Sequence, residues 1–127
     1  MGLDMYLKGE RYFWDRAEHP PGTPPVIAEL YELGYWRKHP NLHGFIVQTF
    51  ADGIDNCRRI PLDQDQLKEI MEAVDAGTLP HTTGFFFGLS DGTEMEDDLR
   101  ILKGALNWLL AKEEGDTWRS VYYQASW

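Results

Sequence analysis

The chain begins with an alternation of apolar and other residues. From Leu3 to Leu7 every second residue is aliphatic or methionine. Because successive side chains of a strand point to opposite faces, this period predicts a strand over 3–13. The closing stretch 118–127 is aromatic and β-branched without a helical signature, and it also predicts a strand. A short strand is predicted over 57–62.

Two consecutive helices are predicted in the next part of the chain. Proline is favoured at the first helical position, so we expect Pro24 or Pro25 to open a helix that ends near 36–38. The next proline breaks that helix. Asn41 then caps a second helix, which Asp52-Gly53 closes. The apolar residues at helical spacing in the two segments are Val26, Ile27, Leu30 and Tyr31, then Leu42, Phe45, Ile46 and Phe50.

The two remaining helices carry capping signals. Asp63 and Gln66 have the spacing of a capping box, and Gly77 is placed to end the helix that follows. Thr93 and Glu96 form a second capping pair before a helix that ends around 112–115. The apolar stripes are Leu67, Ile70, Met71 and Val74 in the first helix, and Met95, Leu99, Leu102, Leu106 and Leu109 in the second.

These elements predict a single globular domain over 1–127 of the α+β class. We expect a small, mostly antiparallel sheet packed against about four helices. A chain of 127 residues with 43% hydrophobic residues can bury a core of ordinary size, which excludes intrinsic disorder.

The charge pattern argues against nucleic acid as a partner. The formal net charge is −9, and basic residues are paired only at Arg37-Lys38 and Arg58-Arg59. Such a chain repels a phosphate backbone, although a basic pair still suits the phosphate of a small ligand. No apolar run approaches membrane-spanning length, and no secretory signal is recognisable. We therefore expect a cytoplasmic protein with no membrane partner and no disulfide.

The histidines and the cysteine were considered as catalytic or metal-binding groups. His39 and His43 have metal-ligand spacing, but the proline between them breaks the helix that would align them, so no metal is predicted. Cys57 is expected to be a small buried hydrophobe rather than a nucleophile. The segment 84–92 lacks the open backbone and the Gly-Lys-Ser/Thr of a phosphate loop, and no cofactor is predicted.

His81-x-Thr83 matches one half of the motif of two-histidine phosphoesterases, in which imidazoles act as acid and base. That chemistry needs a second histidine, for which His43 is the candidate. The alternative interpretation is a turn in which Thr82 and Thr83 bond to nearby backbone.

Three blocks set hydrogen-bonding side chains beside large rings: 35–38, 81–88 and 121–127. If the fold brings them together, they form a pocket for a planar, charged molecule. The alternative is that the rings only pack the core. The predicted ligand-binding residues are Trp36, Arg37, Lys38, His43, His81, Thr82, Thr83, Gln124 and Ser126.

Segments spread over almost the whole chain resemble a family of small uncharacterised phage and bacterial proteins. They are Gly2-Leu3-Asp4-Met5-Tyr6-Leu7, Tyr35-Trp36-Arg37-Lys38, Gly84-Phe85-Phe86-Phe87-Gly88 and Tyr122-Tyr123-Gln124-Ala125-Ser126-Trp127. Some members are called phosphoglycerate kinase, which needs two large lobes and a phosphate-cradling loop that do not fit in this length. The resemblance implies a role in the contest between phage and host.

The sequence therefore favours a non-enzymatic binder of a small ligand, for which a nucleotide derivative is one candidate. The alternatives are a phosphoesterase that uses His81 and His43, and a phage–host protein-interaction module whose acidic surface steers it to a basic partner.

Overall fold

The computed structural model describes residues 2–13, 20–84, 87–111 and 117–127. These residues form an α+β fold in which helices cover one face of an antiparallel sheet. The elements in chain order are β1 (Asp4–Phe13), β2 (Ala28–Arg37), α1 (Pro40–Phe50), β3 (Ile60–Leu62), α2 (Gln64–Asp75), α3 (Met95–Leu110) and β4 (Thr117–Ser126).

The sheet has the strand order β2-β1-β4-β3, and every neighbouring pair is antiparallel. Met5 lies between Trp36 on one side and Ala125 on the other, and all three are buried. Tyr6, one residue further along, lies between Tyr35 and Gln124 on the opposite face. The strands predicted at the two ends of the chain are confirmed, and the alternation in the first of them places the core on the face of Met5.

The helix predicted from Pro24 or Pro25 to 36–38 is wrong, because Ala28–Arg37 is strand β2. It pairs with β1 through nearly its whole length, with one irregularity between Leu7 and Lys8. The proline signal at the start of this segment is local, whereas pairing with a neighbouring strand is a tertiary interaction that overrides it. The described residues therefore contain three helices, one fewer than expected.

The remaining helices lie where the periodicity placed them, but two of their caps differ. Asp63 and Gln66 form the predicted capping box of α2, with both reciprocal hydrogen bonds present. The N-cap of α1 is His39 rather than Asn41, because Pro40 occupies the first turn. The N-cap of α3 is Glu94 rather than Thr93. The hydroxyl and backbone N–H of Thr93 donate to Asp91 instead.

The helices approach the sheet closely at glycines. A Cβ on Gly34 of β2 would collide with Ile101 of α3, and one on Gly9 of β1 would collide with the indole of Trp108. α2 packs against α3, and α1 contacts α2 and β3. Glycine on the strands therefore lets α3 lie directly on the sheet.

The opposite face of the sheet has no helix over it among the described residues. Leu30 is 61% exposed and Tyr35 is 43% exposed on this face. The Tyr35 hydroxyl donates to the Asp4 carboxylate, and this hydrogen bond raises the pKa of the Tyr35 phenol. We refer to this surface as the open face. None of the described helices is long and apolar enough to cross a membrane.

Candidate functional site

A buried chain of hydrogen bonds lies where α1 begins against α3. His39 Nδ1 is 2.7 Å from Ser90 Oγ, and His39 Nε2 is 2.7 Å from Asp98 Oδ2. The other Asp98 oxygen accepts from the indole N–H of Trp36 at 2.7 Å. The backbone N–H of Asn41 donates to Ser90 Oγ at 3.1 Å. His39 and Asp98 are 3% and 1% exposed, so water does not compete for the contact between them.

The indole N–H of Trp36 and the backbone N–H of Asn41 can only donate, and they restrict where the other protons of this chain of hydrogen bonds lie. With Asp98 as the carboxylate, both of its oxygens accept, so His39 Nε2 carries a proton. In the neutral imidazole Nδ1 is then an acceptor, and the Ser90 hydroxyl donates to it. We call this set of Ser90, His39, Asp98 and Trp36 the His39 network. Its arrangement is that of an oriented base next to a hydroxyl.

A cavity of about 130 Å³ opens beside the His39 network. The start of α1, the end of α2 and the start of α3 supply its walls. His39, Ser90 and Asp98 contribute polar surface, and Val74, Leu79 and Met95 contribute apolar surface. The other lining residues are Asn41, Gly77, Gly92 and Glu94.

The cavity wall is acidic. Glu94 and Asp98 line it, and none of the described lining residues is lysine or arginine. The Glu94 carboxylate accepts from the backbone N–H groups of Asp91 and Gly92, and lies 3.9 Å from His39 Nδ1. Such a wall attracts a hydrogen-bond donor or a cation and repels an anion.

One turn further along α1, a second histidine is held in a similar way. The Tyr123 hydroxyl lies 2.6 Å from His43 Nδ1, and both Asp55 oxygens lie 3.0 Å from Nε2. Phe87 and Trp127 place their rings edge-on to the imidazole. Burial, together with the charge of Asp55, raises the pKa of the Tyr123 phenol well above its ordinary value. We call Tyr123, His43 and Asp55 the His43 network.

The His43 network leaves almost no space for a ligand. The cavity beside it measures about 10 Å³, less than one water needs. His39 and His43 have the sequence spacing of a metal-binding pair, but their imidazoles contact different carboxylates, those of Asp98 and Asp55. Among the described residues, no group of three or more histidine, cysteine or acidic side chains is arranged to hold a metal ion.

The residues predicted to bind a ligand are distributed over both faces of the sheet. Trp36 and His43 are buried on the helix-covered face. The partners of Arg37 and Gln124 across the ladders, Asp4 and Tyr6, belong to the open face. Ser126 also pairs with Asp4.

Lys38, His81, Thr82 and Thr83 lie in loops near α1. Thr82 contacts Gly44, and its backbone N–H donates to Asn41. His81 and Thr83 are exposed. Among the described residues, the cavity beside the His39 network is lined by none of the predicted ligand residues. Their ligand role stays a prediction.

Cys57, expected to be buried within a strand, is exposed and precedes β3, which begins only at Ile60. Its backbone has a φ of 61°, which a strand does not accommodate. Its carbonyl accepts from the Gln124 side chain. Phe85 and Phe86 lie outside the described residues, whereas Phe87 is buried against His43 and Trp127.

Ser90, His39 and Asp98 were not identified from sequence as a group. One signal was available: Asp98 lies four residues before Leu102, on the stripe of α3 that is buried. A carboxylate on the apolar stripe of an amphipathic helix needs a buried partner, which makes it a candidate site residue.

Comparisons with models of protein families, with curated proteins and with solved structures found no match.

Proposed function

We propose that this protein binds a small organic molecule in the cavity between α1, α2 and α3. The observation that carries the proposal is the cavity itself, which combines apolar walls with the buried, fully hydrogen-bonded His39 network. Ligand sites typically pair an apolar lining with a few fixed polar groups of this kind. The polar groups fix the orientation of the ligand, and the apolar walls supply the binding free energy.

Size and charge narrow the ligand class. A volume of about 130 Å³ is close to that of an engineered apolar cavity of about 150 Å³ that binds benzene. The cavity thus accommodates a short aliphatic chain with one polar end. Because Glu94 and Asp98 line it and no described basic residue does, that polar end is neutral or cationic rather than anionic. A nucleotide-derived ligand would have to keep its phosphate outside this cavity.

A series of probes with one shape and different charges tests the proposal. Butylammonium, butanol, butyrate and AMP are titrated into ¹⁵N-labelled protein, and the amide signals of Asn41, Ser90 and Gly92 are followed. We expect butylammonium to shift these signals at the lowest concentration, butanol next, and the two anions least. Absence of any shift would remove the proposal, and preferential shifts with AMP would restore a nucleotide-like ligand.

Two tryptophan substitutions on α3 provide the matched control. Met95 lines the cavity at the start of α3, whereas Leu110 lies at the far end of the same helix, and both are partly exposed. Met95→Trp fills the cavity mouth, so it should abolish the butylammonium shifts. Leu110→Trp adds a similar side chain elsewhere and should leave them unchanged.

The alternatives from sequence remain predictions. A phosphoesterase that uses His43 would need that imidazole to give up one of its contacts with Tyr123 and Asp55. A protein-interaction role would use the open face, where Leu30 and Tyr35 are exposed.

A further inference from the structure

We infer that Ser90 is a nucleophile that His39 activates, and that the cavity accepts the short acyl group of an ester. This inference rests on the proposed function, because the acyl group must enter the same cavity. It adds a reaction to binding. The juxtaposition that carries it is a hydroxyl, an imidazole and a buried carboxylate in one hydrogen-bonded line, with the hydroxyl on a cavity wall.

The orientation of the imidazole suits it to act as a base. Asp98 holds Nε2 and is itself fixed by the Trp36 indole, so the imidazole has its acceptor nitrogen aimed at Ser90 Oγ. A carboxylate in this position also stabilises the imidazolium that forms when the base takes a proton. The nitrogen that faces serine here is Nδ1, and both the hydroxyl and the orienting carboxylate lie within hydrogen-bond distance of the imidazole.

One contact stabilises negative charge that develops on Ser90 Oγ, although the wall of the cavity is acidic. The Asn41 N–H donates to this oxygen from the first turn of α1, an eleven-residue helix whose N-terminus carries partial positive charge. The same hydrogen bond would serve a purely structural serine that caps α1 from another segment. The reactivity of the Ser90 hydroxyl distinguishes a nucleophile from a serine that only caps α1.

The reaction with an ester balances as follows. Ser90 Oγ bonds to the carbonyl carbon while its proton moves to His39 Nδ1. The bond between the carbonyl carbon and the leaving oxygen breaks, and His39 returns the proton to the leaving alcohol. Water then attacks the acyl-serine and gives its proton to His39. The carboxylic acid leaves, and Ser90 regains its proton.

A fluorophosphonate probe tests the nucleophile directly, because it needs only a reactive serine and access to it. Its phosphorus bonds to the serine oxygen, fluoride leaves, and the serine proton passes to His39. Digestion and mass spectrometry locate the label. We expect labelling at Ser90, none in Ser90→Ala, and unchanged labelling in Ser120→Ala, which removes a serine of β4 that pairs with Glu10 on the open face.

His39→Gln removes the base and should slow labelling by about 10² to 10⁴-fold. Because this variant can also fail to fold, p-nitrophenyl acetate is offered to the unaltered protein as a second measurement. A burst of about one p-nitrophenol per chain is expected if acyl-serine forms. Folded protein that shows neither label at Ser90 nor a burst would overturn the inference. The butylammonium titration involves no covalent step, so binding with no labelling removes the nucleophile and leaves the binding site.

Discussion

The His39 and His43 networks apply the same chemistry in different surroundings. Each histidine lies between a hydroxyl and a carboxylate, with contacts of 2.6 to 3.0 Å. Beside His39 there is a cavity of about 130 Å³, whereas beside His43 there is about 10 Å³. A hydroxyl, an imidazole and a carboxylate joined by hydrogen bonds therefore do not by themselves define a ligand-binding site. Space for a ligand next to the hydroxyl distinguishes a candidate site from a structural connection.

The surroundings also differ in what each network connects. The His43 network joins the loop before β3 to β4 through α1, and aromatic rings surround it. The His39 network joins β2, the start of α1 and the start of α3, which are the elements around the cavity. We expect substitutions in the His43 network to affect stability alone. Substitutions in the His39 network should affect stability and binding together.

The largest effect is expected from Asp98→Ala. The substitution leaves the imidazole of His39 and the indole N–H of Trp36 buried without their acceptor. A buried donor left unsatisfied costs about 1–3 kcal/mol, so the two donors together should lower the free energy of unfolding by about 2–6 kcal/mol. Urea denaturation measures the loss, and the butylammonium shifts should disappear in the same variant.

Asp97→Ala is the control for that change. Asp97 precedes Asp98 on α3, but it is exposed and contacts only the exposed Arg100 at 3.4 Å among the ion pairs of the described residues. Its removal should change the free energy of unfolding by less than about 1 kcal/mol. Equal losses in the two variants would show that the buried network does not stabilise the fold as inferred.

Tyr123→Phe should give an intermediate effect and leave binding intact. It removes the hydroxyl that lies against His43 Nδ1 and leaves a buried ring nitrogen without its partner. The expected loss of unfolding free energy is about 1–3 kcal/mol. Titration with butylammonium should give the same shifts as in the unaltered protein, because the His39 network is not touched.

The neighbouring Tyr122 provides a control of the same chemical change. Its hydroxyl is buried without a hydrogen-bond partner among the described residues, so Tyr122→Phe removes an unsatisfied group. This variant should be as stable as the unaltered protein or slightly more stable. A loss of binding in Tyr123→Phe would break the distinction between the two networks.

Much of the fold was predictable from residue patterns, because the patterns are local. The alternation from Leu3 to Leu7 and the capping box of Asp63 and Gln66 each act within a few residues, and both are confirmed. The segment Ala28–Arg37 was not predictable in this way. Its prolines and apolar spacing favour a helix locally, and only its pairing with β1 makes it a strand.

The candidate site was hardly predictable, because it depends on contacts between distant residues. Ser90 and His39 are 51 positions apart, and Asp98 and His39 are 59 apart. No spacing rule connects such positions. The aromatic blocks predicted Trp36 and His43 as site residues, and the fold does bury both. The described tyrosine, tryptophan and phenylalanine residues of those blocks do not line the cavity. Asp98 on the apolar stripe of α3 was the one local sign of a buried polar site.

The smallest expected effect is a pH dependence that belongs to the His43 network. Burial, then the charge of Asp55, raises the pKa of the Tyr123 phenol well above 10.0, whereas in the unfolded chain the phenol ionises near 10. A group whose pKa is raised on folding contributes its full stability below the unfolded pKa and loses it as the pH rises toward the folded pKa. The Tyr123 phenol therefore contributes its full stability at pH 7. That contribution falls as the pH rises above 10, because the unfolded chain then loses a proton that the folded protein keeps.

At pH 10.5 this linkage lowers the free energy of unfolding by on the order of 1 kcal/mol relative to pH 7, and Tyr123→Phe should lack that part of the loss. Urea denaturation of both proteins at the two pH values measures the difference, and the absorbance of phenolate near 295 nm shows which fraction of tyrosine has ionised. Identical alkaline losses in both proteins would mean that Tyr123 ionises as easily in the folded state as in the unfolded one. The His43 network would then be open to water, and its contrast with the His39 network would no longer hold.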